Sequence, residues 1–388
     1  MLPDAAPDAV PDAGTDSAPD SHCEVAPDSG RESSRAEVGL QSEVTDTEVC
    51  FRLADPEHDL TDVWLWHDVD LPDLGHELAA VPGGWELRWP RPPVDRIEYQ
   101  FTASHPVLGD HRAFLIDPRN PLRVEGAFGA HSWLALPGYR PPSWLDLPSV
   151  PAHRVMATVS GTPVDEVDTL TWSPADAEFD EPLPMLFAHD GPELDRFAHL
   201  THLVGALIGT GRLPRMRVTL LVPGVRNPRY AASAAYADAL ANHVVPALLR
   251  AHPTEHAPVL VGPSLGGLAA LHAEWTHPGT FGGLLLLSGS FFTPELDGQE
   301  SGFEFWGQLI DFVAGVHDGP APSRPQLALG WGTAEENRHN NALMAARLTE
   351  LGLSVRTGQV RDGHNFTCWR DLLDPLLPDL LTRTWLGN

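Results

Sequence analysis

Residues 257–268 read Ala-Pro-Val-Leu-Val-Gly-Pro-Ser-Leu-Gly-Gly-Leu, an apolar run that breaks into Gly262-Pro263-Ser264-Leu265-Gly266 and then into a helical segment, Leu265–Trp275. A serine on so tight a strand-to-helix turn needs a strained backbone and small neighbours, because the chain packs closely on both sides. That geometry lifts the hydroxyl above a sheet edge and aims the first helical N–H groups at the atom it attacks. Ser264 is therefore the candidate nucleophile. A serine hydroxyl is weak until a base takes its proton. His364, in Asp362-Gly363-His364-Asn365, lies 364 − 264 = 100 residues further on, between a strand-like run ending at Arg361 and the last helix. It is the candidate base. Glu335 or Glu336, after the strand-like run Gln326–Gly330, could accept the other imidazole N–H, and Glu335 is favoured. An oxyanion hole needs two backbone donors. The N–H of Leu265 supplies one; His189-Asp190-Gly191-Pro192 should supply the other, and since Pro192 has no N–H the donor is Gly191 or Glu193.

Residues this far apart must be gathered by a scaffold. From about residue 153 strand-like and helix-like segments alternate: strands near Val155–Ser160, Leu170–Ser173, Leu183–Ala188, Arg217–Val222, Pro258–Val261, Gly282–Ser288, Gln326–Gly330 and Ser354–Arg361. Helices are expected over about Arg196–Gly209, Ala231–Arg250, Leu265–Trp275, Phe303–Val316, Asn340–Leu351 and Trp369–Trp385. The pattern predicts an α/β fold of the α/β-hydrolase kind, a mostly parallel sheet with helices on both faces. Ligands in such sheets sit at the carboxyl ends of the strands. Asp190, Arg226, Arg229, Phe291, Trp331 and Trp369 stand on or beside the same loops and are candidate substrate contacts; the arginines could hold an acidic group.

Ahead of this region, short runs rich in β-branched and aromatic residues (Val49–Leu53, Val63–His67, Trp85–Trp89, Ile97–Thr102, Phe114–Ile116) are separated by turn clusters. They predict an all-β, immunoglobulin-like sandwich over 46–140. A proline-rich linker follows at 141–152, and the hydrolase domain fills 153–388. Residues 1–45, with Pro-Asp pairs at Pro3, Pro7, Pro11, Pro19 and Pro27, read as a disordered acidic tail.

Composition narrows the chemistry. The chain has 53 acidic residues against 25 basic ones, a formal charge of −28, and every basic residue is arginine. Without lysine there is no Walker-type lysine, no Schiff base and no Ser-Lys dyad. Nucleic acid and anionic membranes are poor partners for such a chain; a small-molecule ester is the expected one, and oligomeric state is left open. Cys23, Cys50 and Cys368 have neither disulfide-framework nor zinc spacing, and His199 and His202 lack a third ligand, so neither metal nor cofactor is expected. The start has no basic n-region or apolar h-region, and no stretch is long enough to span a membrane, which together suggest a cytoplasmic protein.

Several stretches carry a resemblance. Leu186-Phe-Ala-His-Asp-Gly191, Gly262-Pro-Ser-Leu-Gly-Gly267, Ser288-Gly-Ser290 within Phe281–Phe291, Gly332-Thr-Ala-Glu335 followed by Asn341, and His364-Asn-Phe-Thr-Cys-Trp369 resemble the enterochelin (ferric enterobactin) esterase family of the esterase D-like α/β-hydrolases. The segment Ile116-Asp-Pro-Arg-Asn-Pro121 is similar to the early-set sandwich that precedes such esterases. The resemblance covers about residues 47–388 and implies a serine esterase acting through an acyl-enzyme, with a siderophore-type lactone as one substrate class. A carbohydrate or other small acyl ester, acyl transfer, and a non-catalytic glycan-binding role are the alternatives. Mycolyltransferase-type relatives with a glutamate acid and His-x-x-x-x-Trp support Glu335 by analogy, while other members work with a Ser-His dyad.

Overall fold

The computed structural model describes residues 42–105, 112–127 and 129–387; nearly all of the expected tail lies outside them. Its last residues do not belong to a tail. Strand β1 (Glu43–Val44) pairs antiparallel with β2 (Glu48–Ala54), Glu43 opposite Cys50, because the apolar alternation of β2 extends its ladder backward across a short turn. The N-terminal β domain continues with β3 (Asp62–His67), β4 (Ala79–Val81), β5 (Gly84–Pro90), β6 (Arg96–Ser104), β7 (Arg112–Leu115), β8 (Arg123–Gly126) and β9 (Gly129–Ala135). One sheet has the order β1-β2-β5-β4; the other runs β3-β6-β9-β8, with β7 against β6. Val49, Phe51, Leu53, Val63, Leu65, Trp89, Ile97, Tyr99 and Phe101 alternate inward and form the core between them. The expected linker is packed rather than free: a 3₁₀ turn, Ser143–Asp146, buries Trp144 against the larger domain.

The larger domain is built on β10 (Ala152–Thr162), β11 (Asp165–Pro174), β12 (Met185–Ala188), β13 (Arg217–Leu221), β14 (Val259–Pro263), β15 (Gly283–Leu287), β16 (Gln326–Gly332) and β17 (Ser354–Val360). Their order is β10-β11-β13-β12-β14-β15-β16-β17. Strands β12 to β17 are parallel, while the β10–β11 hairpin adds antiparallel at one edge. Helices α1 (Gly191–Ala198) and α2 (Leu200–Gly209) lie on one face. They are followed on the other face by α3 (Arg226–Tyr230), α4 (Ala234–Asp238), α5 (Val245–Ala251), α6 (Leu265–Thr276), α7 (Trp306–Asp318) and α8 (Arg338–Glu350). The last helix, α9 (Phe366–Trp385), returns to the face of α1 and α2. Covering both faces explains the unbroken Leu284–Leu287 run: Leu284 and Leu286 enter one core, Leu285 and Leu287 the other.

Two expected helices are interrupted. The segment over Arg196–Gly209 breaks at His199, whose left-handed backbone (φ 57°) ends α1 and starts α2. The segment over Ala231–Arg250 is broken at Ala232 (φ 52°) and widens into a π turn at Ala239–Val244. Pro246 explains the second irregularity: it lacks an N–H, and its ring would strike the Asn242 carbonyl in an unbroken α-helix.

Candidate active site

Strand β14 delivers the serine. Ser264 sits between β14 and α6 with φ 53° and ψ −125°, a backbone conformation an L-residue adopts only under strain. The turn has no room for a larger residue before it: a Cβ on Gly262 would lie 2.2 Å from the Gly266 carbonyl oxygen. Ser264 N–H donates to the Leu287 carbonyl at 2.7 Å, tying the turn to β15.

From the end of β17, His364 reaches the serine, its Nε2 3.1 Å from Ser264 Oγ. Glu335, after β16 and fully buried, has Oε2 3.3 Å from His364 Nδ1. The pair is a close ionic contact and not a hydrogen bond: His364 Nδ1 and Glu335 Oε1 are both buried without a hydrogen-bond partner. Glu336 Oε1 is 3.7 Å from the same nitrogen but 42% exposed. Burial works against a charged imidazole, yet the carboxylates of Glu336 and Glu335 outweigh it and push the His364 pKa up to about 9. Burial raises the carboxyl of Glu335 above its ordinary range, with His364 and Ser288 opposing.

The surroundings of Glu335 include residues to which no role attaches from the sequence. Ser288 donates its hydroxyl to Glu335 Oε2 at 2.8 Å and accepts the Trp369 indole N–H at 3.0 Å. Asn341 brackets Gly289, accepting its N–H at 2.9 Å and donating to its carbonyl at 2.7 Å. Ser290 Oγ lies 3.5 Å from Ser264 Oγ. The signal was Ser288-Gly-Ser290 at the carboxyl end of a buried parallel strand, where polar residues are out of place unless the site uses them.

The two proposed oxyanion donors stand at two helix starts. Leu265 is the first residue of α6 and Gly191 the first of α1, so neither N–H has a partner within its own helix. His189 joins these starts: its Nδ1 donates to the Gly266 carbonyl at 2.8 Å, and burial lowers its pKa to about 4, keeping the ring neutral.

The candidate substrate contacts divide. Asp190 and Arg226 form a two-pronged ion pair, Nε–Oδ1 2.7 Å and Nη2–Oδ2 2.8 Å, at the start of α1. Arg226 remains 35% exposed. Arg229 is a correction: its guanidinium donates to the carbonyls of Pro223, Val164 and Glu166, closing loops rather than facing a ligand. Phe291 is another, packed within the core at 1% exposure because its ring folds back over Gly289. Trp331 is likewise buried in the core on β16. Trp369 is mostly buried, its ring edge-to-face with His364 at 5.3 Å, so it packs on the imidazole instead of lining an open pocket. Among the described residues no group of three or more His, Cys, Asp or Glu is placed to hold a metal ion, and no helix is long and apolar enough to cross a membrane.

A curated relative, the iron(III) enterobactin esterase of Escherichia coli (strain K12), is 33% identical over 129 residues, 31% of each chain. The match thus spans about a third of that relative's length. Two solved structures share the fold at 21% identity. The ferric enterobactin esterase of Salmonella typhimurium has a TM-score of 0.70, covering 88% of this chain and 95% of that one. The enterobactin esterase of Shigella flexneri, crystallised in the presence of enterobactin, has a TM-score of 0.68 over 87% and 94%. The family described as "Putative esterase" matches residues 172–380, more than half of the chain and all of the loops described above; the protein belongs to that family.

Proposed function

We propose that the protein is a serine esterase that hydrolyses a carboxylic ester through an acyl-enzyme. The observation that carries this reading is the continuous contact from Ser264 Oγ to His364 Nε2 at 3.1 Å and from His364 Nδ1 to Glu335 at 3.3 Å. Ser264 Oγ attacks the ester carbonyl carbon while His364 Nε2 takes its proton. The carbonyl oxygen gains the negative charge and is met by the N–H groups of Leu265 and Gly191. Collapse of the tetrahedral intermediate breaks the bond to the alcohol oxygen, which leaves with the proton held by His364. Water, deprotonated by the same nitrogen, then attacks the acyl carbon; the bond from that carbon to Ser264 Oγ breaks, Oγ takes the proton from His364 Nε2, and the acid is released. Glu335 keeps the imidazole in the tautomer with Nε2 free to accept.

The relatives named as iron(III) enterobactin esterases favour a siderophore-type lactone as the substrate class. The test is hydrolysis of short p-nitrophenyl esters followed on the stopped-flow scale. A burst of p-nitrophenol equal to the enzyme concentration, absent in Ser264→Ala, supports the mechanism. Equal hydrolysis by wild type and Ser264→Ala would refute it.

A further inference from the structure

The loops bearing the base and the acid do not stand alone; the N-terminal sandwich grips both. Arg96, the first residue of β6, is 2% exposed. Its Nε donates to Asp362 Oδ2 at 2.9 Å, and its Nη2 to Glu98 Oε1 at 3.0 Å and Asn365 Oδ1 at 3.3 Å. Trp133 and Tyr139 flank the guanidinium, with ring centroids 5.4 and 5.7 Å away. Asp68, after β3, accepts the Glu98 N–H at 3.0 Å through Oδ1 and the Asn365 amide through Oδ2. Asp362 also accepts from Gly363 N–H at 2.8 Å and Asn365 Nδ2 at 3.0 Å, and Asn365 caps α9 by accepting Cys368 N–H at 2.7 Å. A Cβ on Gly363 would stand 2.1 Å from the Asp68 carbonyl oxygen, so the turn lies flush against the sandwich. The acid loop is held from the same side. Asp70 N–H donates to the Ala334 carbonyl at 2.8 Å, and Ala334 is packed into the sandwich core.

We propose that Arg96 and Asp68 are positioning residues for His364: by holding Asp362 and Asn365, which bracket Gly363-His364, they set the imidazole against Ser264 and Glu335. The sandwich is then a working part of the active site and not a passenger. Arg96 gathers two buried carboxylates, Asp362 and Glu98, and the Asn365 amide oxygen on one guanidinium; a buried ion pair of this kind adds little to stability on its own, which favours a role in fixing geometry. The proposal rests on the serine-esterase reading.

The experiment compares Arg96→Lys, Asp68→Asn and, as a control on the opposite sheet, Arg88→Gln, which removes exposed pairs with Glu86 and Glu48. Lysine keeps the charge but loses the fork that spans Asp362 and Asn365. Asn at 68 keeps the shape and sets an amide against that of Asn365. Rates are expressed per active site, counted by the p-nitrophenol burst, so loss of folded protein does not count as loss of catalysis. Arg96→Lys and Asp68→Asn should each lower kcat per site roughly tenfold or more, with KM for a small neutral ester nearly unchanged, since displacement of a catalytic group by an ångström has effects of that order. They should also move the acidic limb of the pH profile; Arg88→Gln should do neither. If both variants melt earlier yet match wild type in kcat per site and pH profile, the network is structural only and the proposal fails. If Arg96→Lys does not fold, Asp68→Asn decides by the same criteria. Ser264→Ala and His364→Ala run alongside: their activity at wild-type level would overturn the esterase reading itself.

Discussion

The two adjacent glutamates act on His364 in different ways. Glu335 is buried and hydrogen-bonded to Ser288, so it is fixed; Glu336 is half exposed and acts through its charge at 3.7 Å. Opposed by burial, the two together bring the imidazole to about 9, well above the ordinary 6.5. As the proposed general base His364 must be neutral, so kcat/KM should rise with pH through that value. Glu336→Gln removes one source of the shift and should move the acidic limb down by roughly one pH unit, raising relative activity near neutrality. The opposite movement, or none, would show that Glu336 does not act on the base. Stability should respond with the other sign. The charged imidazole favours the folded state fully below 6.5, and that contribution is lost as pH climbs through about 9. Melting curves of wild type and Glu336→Gln should therefore converge at high pH. Glu335→Gln should instead lower kcat by roughly two to four orders of magnitude, because the tautomer is no longer held. A loss of less than about threefold would mean that Ser264 and His364 work as a dyad, or that Glu336 is the acid.

Elements decide how such residues meet. The turn from β14 into α6 is built on Gly262, whose missing side chain leaves room for the Gly266 backbone. Gly262→Ala should force the turn open, costing about 1–3 kcal/mol in urea unfolding and most of the burst amplitude; wild-type stability with full activity would contradict the geometry. Much at this scale was legible in the sequence. A parallel strand covered on both faces reads as an unbroken apolar run, as Leu284–Leu287 does, and a serine between such a run and a helix stands out. The topological order of an α/β sheet also points to a base near the last strand. What was not legible depends on single backbone angles or on distant partners. The left-handed residue at His199 and the π turn before Pro246 leave no hydrophobic signature. Arg96 is 266 residues from Asp362, and no periodicity reports that they touch. Arginines near the rim looked available for a ligand because their partners, mostly backbone carbonyls and carboxylates on other loops, cannot be read from their neighbours in sequence.

For the molecule as a whole, those arginines set the electrostatics. A formal charge of −28 repels anions at long range unless the site supplies local compensation. Five arginines near the rim could have supplied it, and each is engaged elsewhere. Arg226 is paired with Asp190, Arg229 with carbonyls, Arg338 with Asp70, Arg361 with the Pro93 carbonyl and Asp95, and Arg370 with Asp371 and Tyr139. Glu336, 3.7 Å from His364 Nδ1, adds negative charge beside the proposed catalytic pair. An anionic ester, and the iron complex of a catecholate siderophore is one, meets this field on approach. Matched esters differing only in charge, p-nitrophenyl butyrate and the p-nitrophenyl half-ester of succinate, should reveal it. The neutral ester should have the higher kcat/KM by several-fold at low salt, and the gap should narrow at about 0.5 M sodium chloride, where screening acts over only a few ångströms. A gap indifferent to salt would mean that the net charge is not its source; a preference for the succinate ester would mean that Arg226 leaves Asp190 to receive the substrate's charge, and the charge count would then say nothing about which esters this enzyme accepts.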